Sequence, residues 1–271
     1  MLLDRALSAV VIVVTTALFV YLGGIPFALF VAGISLVAAR ELCRMFDRNG
    51  FPPLILATLA QTLALILDAY FRTGLAVPII LLGVLVPLLW QLLPKQSSWQ
   101  GVMNWALTPL AALYIGLPMS YFVLLRELTS QQGVGGLPNG LWWTVFAILS
   151  TWAADAGAYV VGTAFGRHSF VARISPRKTW EGVAGAIAWT MVVGIVMAVW
   201  VLGLPALYGA ILGVLIAIVA ILGDLAESLI KRGTKVKDTG KILPGHGGML
   251  DRLDTLIFVG PLVYYFARLV M

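Results

Sequence analysis

Charge is what this chain has least of. Asp, Glu, Lys and Arg make up 11% of its 271 residues and apolar types 61%, where a soluble domain carries about 25% and roughly 45–50%. That shortage excludes an ordinary water-soluble domain and points to an all-α polytopic membrane protein. Cysteine is nearly missing as well. The lone Cys43 rules out an internal disulfide and any site built from several thiolates, and a small buried thiol is the plain expectation. No internal repeat, low-complexity tract or appended soluble domain stands out. No basic groove interleaved with aromatics is visible either, so the net charge of +6 is not read as nucleic-acid binding. Arg5 precedes an apolar run resembling a secretory leader, but no small-x-small cleavage site follows, and an uncleaved first span is expected.

What is present is a series of long apolar runs. A spanning helix needs about 20 predominantly apolar residues. About nine segments qualify, near 6–23, 26–46, 53–71, 74–93, 102–125, 141–166, 182–203, 205–230 and 249–270. Turn and polar residues separate them, at Gly23-Gly24, residues 48–53, residues 72–74, residues 94–98 and residues 133–140. With nine alternating spans, one side receives Arg5, Arg40, Arg44, Arg48, Lys95, Arg167, Arg173, Arg177, Lys178, Lys231, Arg232, Lys235, Lys237, Lys241 and Arg252. Only Arg72, Arg126 and Arg268 fall on the other. The excess of Lys and Arg puts the first side in the cytoplasm, so the N-terminus is expected inside and the C-terminus outside. Two regions are expected, 1–140 with about five spans and 141–271 with about four spans and two polar loops.

One stretch breaks the apolar pattern. In residues 228–254, SLIKRGTKVKDTGKILPGHGGMLDRLD, 13 of 27 side chains carry a charge, an imidazole or a hydroxyl. Asp224, Glu227, Ser228 and Lys231 precede or open it at i, i+3, i+4 and i+7, on one helical face. Ionisable groups inside a span are costly unless they face a polar interior; a contact within the helix, Glu227 with Lys231, is the simpler alternative. Asp251 and Asp254 stand at i and i+3 where the last span begins, so Asp224, Asp251 and Asp254 are candidates to converge. Oxygen-only ligands without His or Cys suit a hard cation such as Mg²⁺, which completes its shell with waters and substrate phosphates. Lys231, Arg232, Lys235, Lys237 and Lys241 supply complementary charge for phosphates, or else a loop whose basicity only sets topology. Gly245, Gly247 and Gly248 let backbone amides approach a ligand, while His246 is either a turn cap or a ligand contact.

A second polar loop follows the sixth span. It carries Ser175, Arg177, Lys178 and Thr179, a compact set of phosphate-capable groups, and Asp155 lies well inside the span before it. Trp152 and Trp180 read most simply as interfacial anchors.

The 228–254 segment resembles the signature of the CDP-diacylglycerol synthases (phosphatidate cytidylyltransferases). The matching positions are Ser228, Lys231, Arg232, Lys237, Asp238, Gly240, Pro244, His246, Gly247, Gly248, Asp251, Arg252 and Asp254. SPRKTWEG at 175–182 resembles the family's SPKKTWEG with Arg177 in place of Lys. DAGAY at 155–159 resembles its Asp-Thr-x-Ala-Tyr with Ala156, which carries no hydroxyl, where Thr is usual. The resemblance covers about the C-terminal 120 residues.

It implies transfer of the cytidylyl group of CTP to phosphatidate, with release of pyrophosphate, at the cytoplasmic face of a cell (inner or plasma) membrane. It implies Mg²⁺ at Asp224, Asp251 and Asp254, with a second cation, divalent or K⁺, as a further candidate. Lys231 and Lys237 join those acids as catalytic candidates. Substrate contacts are expected from Asp155, Ser175, Arg177, Lys178, Thr179, Ser228, Arg232, Asp238, His246, Gly247, Gly248 and Arg252. A homodimer is a candidate assembly. Two rival readings are a CTP-dependent polyprenol or phytol kinase, and a cation- or proton-coupled transporter using Asp155, Asp224 and Glu227 as a relay. The full signature argues against the first. Charges near helix ends in spans one to five argue against the second. The D-G-x-x-A-R opening of the CDP-alcohol phosphotransferases is absent.

Overall fold

A computed structural model describes residues 2–93, 97–128, 133–240 and 247–271, with side chains from residue 9 onward. Lys95, Lys241, Pro244, Gly245 and His246 lie outside the described residues, as does the side chain of Arg5.

The chain is helical almost throughout. Helices α1 (Leu2–Leu22), α2 (Gly24–Asp47), α3 (Ile55–Phe71), α4 (Ala76–Trp90) and α5 (Ser98–Arg126) come first. Then follow α6 (Asn139–Phe165), a hairpin of β1 (Ser169–Val171) and β2 (Ser175–Thr179), and α7 (Trp180–Val196), which runs into a π turn at Met197–Val201. The chain ends with α8 (Ala206–Gly233), the short α9 (Leu250–Leu253) and α10 (Leu256–Val270). Six helical stretches among the described residues are long and apolar enough to cross a membrane: Gly24–Asp47, Ser98–Arg126, Asn139–Phe165, Trp180–Val201, Ala206–Gly233 and Leu250–Val270. Large apolar side chains point outward from the helices, Leu56 at 84% and Leu269 at 83% exposure. Such faces suit acyl chains rather than water, and the protein is a multi-pass membrane protein.

Two apolar helices, α3 at Ile55–Phe71 and α4 at Ala76–Trp90, are shorter than the expected segments they occupy, whereas α1 at Leu2–Leu22 fills its own. The expected span 74–93 shrinks to fifteen residues for local reasons. Asp68 Oδ1 accepts the Leu75 N–H at 2.8 Å and so fixes the entry turn. At the other end the Gln91 N–H turns back to the carbonyls of Pro87 and Leu88, tightening the last turn.

The helices form two compact units, one of residues 1–124 with 233–253, the other of residues 125–232 with 254–271. Neither is continuous in sequence. In the first unit α2 packs on α3, α3 on α4, and α9 returns to α2. Hydroxyls and an indole stitch its helices. The Thr58 hydroxyl donates to the Thr108 carbonyl at 3.0 Å, and Trp105 Nε1–H to the Val84 carbonyl at 2.8 Å. Such bonds substitute for the water that hydrocarbon lacks.

In the second unit α6 lies against α7 through paired glycines. A Cβ placed on Gly157 would meet the Gly185 carbonyl at 2.6 Å, so only glycine permits this approach. The same device sets α8 against the start of α10, where a Cβ on Gly223 would sit 2.6 Å from the Asp254 carbonyl oxygen.

The hairpin is a departure from the all-α expectation. SPRKT is strand β2 rather than irregular loop, with Ser169 opposite Thr179 and Val171 opposite Ser175. Phe170 stacks edge-on against Trp180, ring centroids 4.5 Å apart, so the hairpin has a small apolar seam that a run of basic residues does not advertise.

Candidate active site

In the second unit the chemistry gathers on α8. Its i, i+3, i+4, i+7 face carries Asp224, Glu227, Ser228 and Lys231, and Gly223 one residue earlier brings Asp254 alongside. Asp224, Glu227 and Asp254 form a cluster in which one carboxylate oxygen from each lies within 4.8 Å of the others. Glu227 is 1% exposed and Asp254 9%. Three carboxylates so close repel one another strongly unless cations sit among them. Two lysines do. Lys178 of β2 forms an ion pair with Asp224, and Lys231 Nζ lies 2.6 Å from Glu227 Oε2. The contact along the helix and the acidic cluster, posed above as alternatives, therefore coexist.

Other groups hold this arrangement. The Ser228 hydroxyl points to Asp224 Oδ1 at 3.4 Å, and the Thr255 N–H donates to Asp254 Oδ1 at 2.7 Å. Asp155 of α6 is near enough to act electrostatically on Asp254, as are Asp224 and Lys231. Arg232 donates through Nε to the Ile174 carbonyl at 3.4 Å, tying the end of α8 to the hairpin. Thr179 is the N-cap of α7, its hydroxyl accepting the Gly182 N–H at 3.1 Å. Glu181 then takes His168 Nδ1 at 2.7 Å and the N–H groups of Arg167 and His168, closing the hairpin base. Ser175 is half-buried and Arg177 exposed.

The first unit holds the rest of the signature. Asp251 Oδ2 accepts three hydrogen bonds, from Thr239 N–H at 3.2 Å, the Thr239 hydroxyl at 3.0 Å and Gly248 N–H at 2.7 Å. Gly247 takes φ 81°, a conformation glycine adopts without strain. Lys235, Lys237, Asp238 and Arg252 are exposed. Of the three acids expected together, Asp224 and Asp254 meet with Glu227 as their third companion. Asp251 lies in the first unit, engaged with Thr239 and Gly248.

Two groups escape sequence reasoning. Glu41 of α2 accepts the Leu250 N–H at 2.9 Å and the Thr239 hydroxyl at 3.2 Å. The available signal was an acid inside an apolar span, masked by Arg40 and Arg44 on either side, which suggest a surface charge cluster. The Glu181–His168 pair is the other, and the first-turn acid of α7 was its only trace.

Apolar helices of membrane-crossing length, with carboxylates and ammonium groups concentrated on one of them, define an integral membrane protein whose polar site suits a phosphorylated substrate. The particular family follows from comparison. The model of the cytidylyltransferase family matches residues 3–270, and the chain belongs to that family. It is 35% identical over 289 residues to a phosphatidate cytidylyltransferase of Synechocystis sp., covering 99% of this chain and 97% of that one. A phosphatidate cytidylyltransferase of Bacillus subtilis is 34% identical over 272 residues, at 98% and 97% coverage. One from Mycobacterium bovis is 44% identical over 119 residues, 44% of this chain and 39% of the relative.

Proposed function

We infer that the protein transfers the cytidylyl group of CTP to phosphatidate, forming CDP-diacylglycerol and pyrophosphate for phospholipid synthesis. The observation that carries this reading is the trio Asp224, Glu227 and Asp254, with Glu227 fully enclosed and a lysine on each of two members. Family membership and the two full-length relatives support the choice of substrates.

The donor set fits a hard divalent cation of the Mg²⁺ type, because three carboxylates gather within 4.8 Å with no His or Cys among them. When bound at Asp224, Glu227 and Asp254, such an ion would supply positive charge to the phosphate oxygens of the nucleotide. The remaining work falls to the chain's own groups. Lys178 and Lys231, which balance the carboxylates in the structure described, turn to the phosphates when the substrates arrive. Arg177, exposed on the hairpin, and Lys237 and Arg252, exposed on the signature loop, present cationic ends suited to phosphate. Arg232 and Ser228 hold the α8 face in register. A phosphatidate oxygen attacks the α-phosphorus of CTP, and the bond from that phosphorus to the bridging oxygen breaks as pyrophosphate leaves. The attacking phosphate is ionised near neutral pH, so positioning and charge stabilisation carry the reaction and no strong general base is required.

The nine-span arrangement is our reading of the six long apolar helices together with α1, α3 and α4. The asymmetry of Lys and Arg supports a cytoplasmic N-terminus and a site facing the cytoplasm, where CTP is available. The test uses purified protein with phosphatidate, Mg²⁺ and CTP labelled at either the α- or the γ-phosphate. Label from α-CTP enters the lipid phase and chelation abolishes it. Lipid labelled only from γ-CTP would replace this reading with a kinase.

A further inference from the structure

We propose that Glu41 of α2 is a positioning residue for the signature residues 237–240 and 247–251, fixing their conformation through Thr239 and Leu250. The proposal rests on the cytidylyltransferase reading for its consequence, though not for its geometry. Glu41 is 3% exposed within a helix of membrane-crossing length. Its Oε2 accepts the Leu250 N–H at 2.9 Å, which pins the first turn of α9, and the Thr239 hydroxyl at 3.2 Å. That hydroxyl also lies 3.0 Å from Asp251 Oδ2. Thr239 has one hydroxyl proton, so the two carboxylates hold one group between them. Asp251 in turn takes the N–H groups of Thr239 and Gly248. The result is a closed set running from α2 through Thr239 to the Asp251 carboxylate.

Two signature glycines follow from the same arrangement. A Cβ on Gly240 would overlap the Glu41 carboxylate and stand 3.2 Å from the Gly248 Cα. One on Gly248 would overlap the Thr239 hydroxyl and stand 2.6 Å from the Gly240 nitrogen. At Gly240 and Gly248 the backbone is therefore drawn close against Glu41. In the turn just past the end of α2, Asn49 donates through Nδ2 to the Thr234 carbonyl at 2.9 Å. The turn after α2 thus contacts the chain shortly before the segment, and Glu41 on α2 holds it at Thr239 and Leu250.

Fold stability does not account for Glu41. Among the described residues its Oε1 has no hydrogen-bond partner although it is enclosed. A buried carboxylate with an unmet oxygen is a liability, and an apolar residue of similar size is often neutral or better for stability. What the carboxylate provides is a bond to the Leu250 N–H and a share in the Thr239 hydroxyl of the segment that carries Lys237, Asp238 and Asp251.

The experiment compares Glu41→Leu, Glu41→Gln and Thr239→Val with the wild-type enzyme in lipid–detergent micelles. Cytidylyl transfer, thermal unfolding and amide exchange of a peptide covering 247–253 are read on each. In Glu41→Leu we expect kcat to fall roughly 10- to 100-fold, the value of one charge-assisted hydrogen bond or two. Exchange of the 247–253 amides rises roughly tenfold, exchange in α3 and α5 is unchanged, and the melting temperature shifts by no more than about 3 °C. Glu41→Gln keeps an acceptor for both donors and returns to within about fivefold of wild type. Thr239→Val reproduces the Leu phenotype and decides the matter if Glu41→Leu fails to fold. Unchanged exchange at 247–253 in the Leu variant overturns the proposal, as does a Gln variant as impaired as Leu. A wild-type protein without cytidylyl transfer overturns the function instead, and the exchange readout still tests the positioning.

Discussion

Removing the Lys231 ammonium separates a structural ion pair from a catalytic cation. Lys231 Nζ lies 2.6 Å from Glu227 Oε2, with side-chain exposures of 17% and 1%. Both ends are largely shielded from solvent, so screening weakens the pair little. Lys231→Met leaves the Glu227 carboxylate buried without its ammonium and beside Asp224 and Asp254. Breaking a buried pair at one end costs about 3 kcal/mol or more. At roughly 2–4 °C per kcal/mol for a chain of this size, the melting temperature should drop by about 6–12 °C. The double variant Lys231→Met/Glu227→Met removes both charges and should recover most of that loss, because paired charges and apolar side chains are close in free energy once buried. Activity should not recover. If Lys231 moves to substrate phosphate, the single variant loses a charge-assisted contact of about 1.5–3 kcal/mol, roughly 10- to 150-fold in kcat/KM, and the double variant loses at least as much because it also removes a carboxylate of the cation site. Thermal unfolding with the α-labelled CTP assay reads both quantities on the same preparations. A double variant that regains stability and activity together would refute the catalytic roles of both Lys231 and Glu227 and leave them a structural ion pair only.

Three further outcomes follow from particular contacts. Lys178→Ala removes the partner of Asp224 supplied by β2 and should lower kcat/KM at least roughly tenfold, whereas Lys178→Arg keeps the charge and should recover part of it; steady-state kinetics on both variants checks this. Gly223→Val forces a side chain where Asp254 O and Thr255 Cα stand 2.6 and 3.2 Å from an added Cβ. It should cost about 1–3 kcal/mol of stability and nearly all activity, read by melting and label transfer. Thr179→Ala deletes the N-cap of α7 for about 1 kcal/mol, with faster amide exchange at Gly182 and in the hairpin as the signature.

Local patterns made the helices and one face of the site legible. The apolar runs mark every long helix to within a few residues, because a membrane leaves the backbone no alternative to internal hydrogen bonding. The spacing of Asp224, Glu227, Ser228 and Lys231 likewise dictates which side chains share a face of α8. What escaped is what depends on distance in the chain. Glu41 meets Leu250 across 209 positions and Thr239 across 198, and nothing near Glu41 announces either partner. Asp251 and Asp254 share an i, i+3 spacing, yet short-range bonds to Thr239 and Gly248 occupy one, while close glycine packing sets the other beside α8. The hairpin was hidden because its stability comes from Phe170 against Trp180 and from Glu181 at its base, not from alternating hydrophobicity.

The most direct test of the central claim measures both products on wild-type protein and on Asp254→Asn in parallel. CDP-diacylglycerol is quantified by mass spectrometry of the lipid fraction and pyrophosphate by enzymatic release. The account predicts one pyrophosphate per CDP-diacylglycerol for the wild type, and neither product above background for the variant in a protein that melts normally. Full turnover by Asp254→Asn, or pyrophosphate released without a nucleotide-bearing lipid, would contradict it.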